Sequence, residues 1–348
     1  MTIKVLIVDD SAFMRKMISE IISSQPDLEV AGTARNGRDA LRKLEQLEVD
    51  VVTLDVEMPV LDGIETLRAI MNEKPMPVVM LSTRTKKGSE TTIQALSLGA
   101  VDFIAKPSGP ISLDIDKIAE EIVEKIRLAA TARFAKKERP DTLVLKPKPR
   151  SFPKPPTEAA ETLVIIGSST GGPRAVETVL SDIPPNLPAG IVVVQHMPKD
   201  FTRSFAERLN SLFPVPVKEA ENGDLVRNGQ VLVAPGDYHL RINSERRIIL
   251  SQEERVMFLR PAIDITMETL PEVFKTKIVG VILTGMGRDG ARGMAIIKQA
   301  GGVTIAQDKS TSTIYSMPRV IAEEGNADYI LPLNQIGGVI TDLVASMQ

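Results

Sequence analysis

The chain is predicted to be an α/β protein with two domains, each a doubly wound, mainly parallel sheet, joined by a linker. Three observations predict it. Short Val- and Ile-rich runs recur at spacings that leave room for a helix between each pair, as parallel strands with crossover helices require. Several of these runs break directly into Asp, Ser, His or Gly, the residues that carry chemistry at the carboxyl ends of such strands. A Pro- and Lys-rich stretch interrupts the pattern once, and 348 residues exceed what a single core ordinarily serves.

Composition narrows the function. A hydrophobic fraction of 43% with 25% charged residues fits a folded protein, and 3% aromatic residues with no Trp mean cores built from aliphatic side chains. The absence of Cys excludes disulfides, thiolate metal sites and Cys nucleophiles. A net charge of −3 offers no basic face to nucleic acid. Met1-Thr-Ile-Lys-Val runs straight into a strand and no apolar run nears eighteen residues, so a cytoplasmic protein without membrane insertion is expected. Any role for imidazole falls to His196 or His239.

The first domain is expected over 1–128. Its strands are Val5 to Val8, Val30 to Thr33, Val51 to Leu54, Val78 to Leu81 and Val101 to Ile104. At their ends stand Asp9 and Asp10, Asp55, Ser82 and Lys106. Each Asp alone could be a loop cap. Together, three carboxylates on one edge repel one another and call for a divalent cation, and oxygen-only donors suit Mg²⁺.

These positions resemble the receiver domain of response regulators, through Val-Asp-Asp-Ser (Val8 to Ser11), Leu-Asp-Val-Glu-Met-Pro (Leu54 to Pro59) with Asp62-Gly63, and Lys106-Pro107. The resemblance implies a flavodoxin-like fold with Asp55 as phosphoacceptor, a histidine kinase as phosphodonor, and Mg²⁺ held by Asp9, Asp10, Asp55 and the Glu57 carbonyl. It further implies that Ser82 bonds the phosphoryl group, with Thr83 as runner-up, and that Lys106 pairs with it. Phe103 stands at the family's switch aromatic, although core packing accounts for it equally well.

Over 129–160 the periodicity fails. Pro140, Pro147, Pro149, Pro153, Pro155 and Pro156 alternate with Lys and Arg, the composition of a semi-extended spacer.

The second domain, 161–348, opens on the strand Leu163 to Ile166. Gly167 is read as its end, which places Ser168, Ser169 and Thr170 on a turn before a helix that Pro173 begins. Gly167 to Gly171 fits G-x-S-x-G, which presents a serine at the top of a sheet, yet such a turn also serves packing or cradles phosphate. Ile191 to Val194 leads into Gln195-His196-Met197-Pro198, and Ile278 to Leu283 into Thr284-Gly-Met-Gly-Arg-Asp-Gly290. Three parallel strands would bring Ser169, His196 and Asp289 to one edge as nucleophile, base and orienting carboxylate. Individually, Asp289 could be a helix N-cap, and His239 reads as a local hydrogen-bonding residue of a turn. A Rossmann-like nucleotide site fits less well, because Gly167, Gly171 and Gly172 depart from G-x-G-x-x-G and the second strand ends without an acid.

Gly167 to Gly172, Gln195 to Pro198, Ala234 to Asp237, Arg260 to Asp264 and Leu283 to Gly290 resemble the catalytic domain of the CheB methylesterase family of bacterial chemotaxis. The resemblance implies hydrolysis of γ-glutamyl methyl esters, and deamidation of glutamines, on the cytoplasmic domains of chemoreceptors, with no cofactor for the ester reaction. It makes Ser169 the nucleophile, His196 the base, Asp289 its carboxylate and Met286 a backbone oxyanion donor, with Thr170 in support. Ser168 departs from the alanine more usual in the family. Phosphorylation at Asp55 is expected to relieve inhibition by the receiver. The alternative is a receiver-controlled receptor-binding module without catalysis.

Overall fold

The computed structural model describes residues 2–83, 85–106, 115–132 and 158–348. The chain divides into two compact units, Met1–Phe134 and Ala135–Gln348.

The first unit alternates β1 (Ile3–Val8), α1 (Ala12–Ser23), β2 (Leu28–Ala34), α2 (Gly37–Gln46), β3 (Val51–Asp55), α3 (Gly63–Glu73), β4 (Val78–Ser82), α4 (Lys86–Leu98), β5 (Asp102–Ala105) and α5 (Ile115–Ala130). Helix starts are written locally. Ser11, Asn36 and Thr85 cap α1, α2 and α4, and Asp62 with Glu65 forms a capping box on α3. The strands pair in parallel in the order β2-β1-β3-β4-β5, the flavodoxin-like order expected. β3 and β4 are buried throughout because helices cover both faces.

The second unit begins with β6 (Leu163–Ser168), α6 (Gly172–Ser181), β7 (Gly190–Gln195), α7 (Phe201–Leu212), β8 (Val217–Glu219) and β9 (Gln230–Val233). A hairpin follows, β10 (His239–Ile242) with β11 (Ile248–Ser251). The rest is α8 (Ile263–Met267), α9 (Leu270–Phe274), β12 (Ile278–Ile282), α10 (Ala291–Gln299), β13 (Val303–Gln307), α11 (Met317–Glu323), β14 (Tyr329–Leu331) and α12 (Leu333–Ser346). A seven-stranded sheet runs β14-β13-β12-β6-β7-β9-β8, every pairing parallel. The core on one face includes Ile165, Val192, Ile263, Ile282, Met294 and Met317, all fully buried. Truncating one such aliphatic side chain to Ala typically costs about 2–5 kcal/mol.

The linker expected over 129–160 lies mostly outside the described residues. α5 continues to Ala130, while Ala159 bridges Arg227 and the Ala160 N–H donates to Val226 O. Among the described residues, no helix is long and apolar enough to cross a membrane.

Candidate active site

The centre of the larger sheet is β6, flanked by β7 on one side and β12 on the other. The chain moves outward from β6 in opposite directions, so the carboxyl ends of these three strands border the crevice where such sheets bind ligands. Ser169 follows β6, His196 follows β7, and Asp289 lies in the loop between β12 and α10. The His196 N–H donates to Ser168 O at 3.0 Å, extending the ladder one rung past the strands.

His196 Nε2 lies 2.7 Å from Asp289 Oδ2, with both side chains buried. Asp289 also accepts the backbone N–H groups of Ile263 at 2.6 Å, Asp264 at 3.0 Å and Gly290 at 3.0 Å. Burial works to raise its carboxyl, but the His196 bond and charge and these amides outweigh it and hold the group below its ordinary value. Asp289 is therefore an anion at neutral pH. It is not an N-cap: Gly290, at φ 93°, precedes α10 without a side-chain cap bond. Asp264 stands behind it, accepting the Gly293 N–H at 2.7 Å, and burial together with the Asp289 charge pushes its carboxyl up.

Ser169 is half-buried, and its hydroxyl makes no hydrogen bond among the described residues. Its N–H donates to Thr284 O at 3.0 Å, so that amide is spent. The loop after β12 presses close: a methyl group on Gly285 would fall 2.7 Å from Ser169 Cβ. Thr284 Oγ1 donates to Thr170 O at 3.0 Å and accepts from the Ile314 N–H at 2.9 Å, tying the serine turn to that loop. The N–H groups of Met286 and Gly171 donate to no acceptor among the described residues, and Met286 is 39% exposed.

Two readings need correction. Ser168 is not on the turn: β6 continues past Gly167 because Gly167 pairs with both Ile282 and Val194, and Ser168 with Gln195. Ser168 is fully buried and its Oγ donates to Gln195 Oε1 at 2.6 Å. His239 is not a local turn residue. It opens β10, fully buried, with Nε2 3.0 Å from Glu254 O and Nδ1 3.3 Å from the Ala262 N–H, and so pins the 252–262 loop that leads to α8. Gln195 and Asp264 were missed as site residues. The readable signal for Gln195 was a lone amide ending the run Ile191 to Val194.

In the first unit, ligand atoms of Asp9, Asp10 and Asp55 lie within 4.8 Å of one another at the β1/β3 switch point. Their hard oxygens fit Mg²⁺. Lys106 Nζ lies 2.9 Å from Asp9 Oδ2 and 2.8 Å from Asp55 Oδ1. Burial pushes the Asp55 carboxyl up to about 6, although Lys106 opposes the shift. The Glu57 backbone amide also faces Asp55. Ser82 is fully buried, its Oγ donating to Gly88 O at 3.1 Å and accepting from Thr92 Oγ1 at 2.6 Å, so contact with a phosphoryl group requires it to rotate. Thr83 Oγ1 lies 3.2 Å from Thr85 Oγ1. Phe103 is buried beneath Lys125, whose Nζ sits 5.1 Å from the ring centroid.

Residues 164–340 match the CheB methylesterase family and residues 5–116 the response regulator receiver domain. A protein-glutamate methylesterase/protein-glutamine glutaminase of Symbiobacterium thermophilum is 51% identical, with 98% of this chain and 97% of that protein covered. One of the same name from Geobacillus kaustophilus is 47% identical, with 99% of each covered. The crystal structure of the Thermotoga maritima CheB methylesterase catalytic domain superposes with a TM-score of 0.51 at 45% identity, covering 52% of this chain and 98% of that one. This chain therefore belongs to the CheB methylesterase family, with a response regulator receiver domain preceding the catalytic domain in sequence.

Proposed function

We propose that this chain is a phosphorylation-activated protein-glutamate methylesterase and protein-glutamine glutaminase, acting in the cytoplasm on the cytoplasmic domains of chemoreceptors. The observation that carries the reading is the buried pair of His196, just past β7, and Asp289, in the loop after β12, with half-buried Ser169 just past β6.

Asp289 occupies Nε2 of His196, so Nδ1 is the nitrogen that takes the Ser169 proton. Ser169 Oγ then attacks the ester carbonyl carbon. The Met286 and Gly171 N–H groups receive the oxyanion, each such donor supplying on the order of 10²–10³ in kcat. Collapse expels methanol, which takes the proton from Nδ1, and water attacks the acyl-serine with His196 again as base. A glutamine side chain follows the same course and releases ammonia. Thr170 contributes through its carbonyl, held by Thr284.

In the receiver, Asp9, Asp10, Asp55 and the Glu57 carbonyl would hold Mg²⁺, which supplies charge neutralisation for phosphoryl transfer from a histidine kinase to Asp55. Lys106 would pair with the phosphoryl oxygens and Ser82, once rotated, would bond one of them.

The test is methanol release from a methylated receptor cytoplasmic fragment. Ser169→Ala should abolish it in a folded chain; retained activity would remove Ser169 as nucleophile.

A further inference from the structure

Ser168 and Gln195, opposite one another in the β6/β7 register, form a hydrogen-bonded pair with both residues buried. The Gln195 carboxamide has three partners. Its Oε1 accepts the Ser168 hydroxyl at 2.6 Å, and its Nε2 donates to Ser169 O at 3.0 Å and to His196 O at 3.1 Å. Those two carbonyls belong to the residues read as nucleophile and base. The backbone ladder between β6 and β7 stops at the His196 N–H to Ser168 O bond, and beyond it the amide of Gln195 supplies the next ties.

Each part has a physical reason. A carboxamide can donate two hydrogens from nitrogen and none from oxygen, so only the orientation seen satisfies two carbonyls. The Ser168 hydroxyl gives Oε1 a donor in that orientation, and an unsatisfied buried oxygen is thereby avoided. Gly172 leaves room: a Cβ there would fall 2.1 Å from Gln195 Oε1 and 2.9 Å from Ser168 Oγ.

We infer that the Ser168–Gln195 pair is a positioning device for ester hydrolysis, splinting the two chain segments that carry Ser169 and His196 and so setting the reach between hydroxyl and imidazole. The inference rests on the roles proposed for those two residues. Misplacement of reacting groups by about 1 Å costs on the order of 100-fold in rate. The effect is therefore expected in kcat, because both residues are buried and act through the backbone of Ser169 and His196.

The experiment measures methanol release by the full chain, with Ser169→Ala as reference, beside the rate at which an alkyl fluorophosphonate labels Ser169. Gln195→Leu and the isosteric Gln195→Glu, which cannot donate to both carbonyls, are each expected to lower kcat about 10- to 100-fold. KM should stay within about twofold, and labelling should slow in parallel. Ser168→Ala is expected to lower kcat about two- to tenfold, and Ser168→Ala with Gln195→Leu should be no slower than Gln195→Leu alone, as for two parts of one device. A wild-type kcat in Ser168→Ala, or fully additive losses in the double variant, would overturn the inference; the first result decides it even if the Gln195 variants fail to fold. Activity retained by Ser169→Ala would instead overturn the reading of the nucleophile.

Discussion

His196 presents Nε2, not Nδ1, to Asp289 Oδ2 at 2.7 Å, in a carboxylate that also collects three backbone amides. With Asp289 ionised, the contact places the ring proton on Nε2, and in the proposed mechanism Nδ1 takes the proton of Ser169.

Asp289→Asn should therefore leave binding nearly intact while lowering kcat by about 10³–10⁴, since an amide favours the wrong tautomer. Steady-state kinetics on methylated receptor fragment measure it. A KM change without a kcat change would place Asp289 outside the proton relay.

The same carboxylate is a stability element. Because its folded pKa lies below the unfolded value, its contribution is present above about 3.9, the ordinary carboxylate value, and is lost as pH falls through the folded one. Thermal unfolding of the catalytic unit should weaken in acid, and part of that acid sensitivity should disappear in Asp289→Asn.

Asp55 has the opposite sign. A folded value of about 6 means that its contribution is fully present below the unfolded value and is lost as pH rises through about 6. In chelator, the receiver transition should fall between pH 4 and 7, and Asp55→Asn should flatten that decline and raise the midpoint at pH 7. Adding Mg²⁺ should raise the wild-type midpoint and leave Asp55→Asn less affected. Calorimetry of the full chain would read both.

Acetyl phosphate with Mg²⁺ is expected to raise methanol release by the full chain, and Asp55→Asn to abolish the rise while leaving basal activity. A tenfold rise requires only about 1.4 kcal/mol of bias between two states. Equal stimulation of both proteins would disconnect Asp55 from the output.

Met286 is proposed to act through its backbone. Met286→Leu should keep kcat, whereas Met286→Pro, which deletes the N–H, should cost on the order of 10²–10³. Comparable kcat in the two variants would exclude the amide as an oxyanion donor.

What could be read in advance has a local cause. Val51 to Leu54, Leu163 to Ile166 and Ile191 to Val194 announce buried parallel strands because both faces of such strands are covered, so the apolar run is continuous. Ser168 misled for an equally definite reason. A glycine normally ends a strand, but Gly167 is paired on both sides, and the neighbours that hold it arrive much later in the chain.

The sequence by itself determined the two-domain α/β architecture, the strand-end positions of Asp9, Asp55, Ser169 and His196, and the family, since strand period and turn chemistry act over a few neighbouring residues. Tertiary structure alone decided which nitrogen of His196 meets Asp289 across 93 residues, that Ser168 is sealed against Gln195 27 residues away, and that His239 pins a distant loop. Those choices depend on rotamers and hydrogen-bond partners selected when remote strands pack, and burial makes each unmatched polar atom costly enough to fix them.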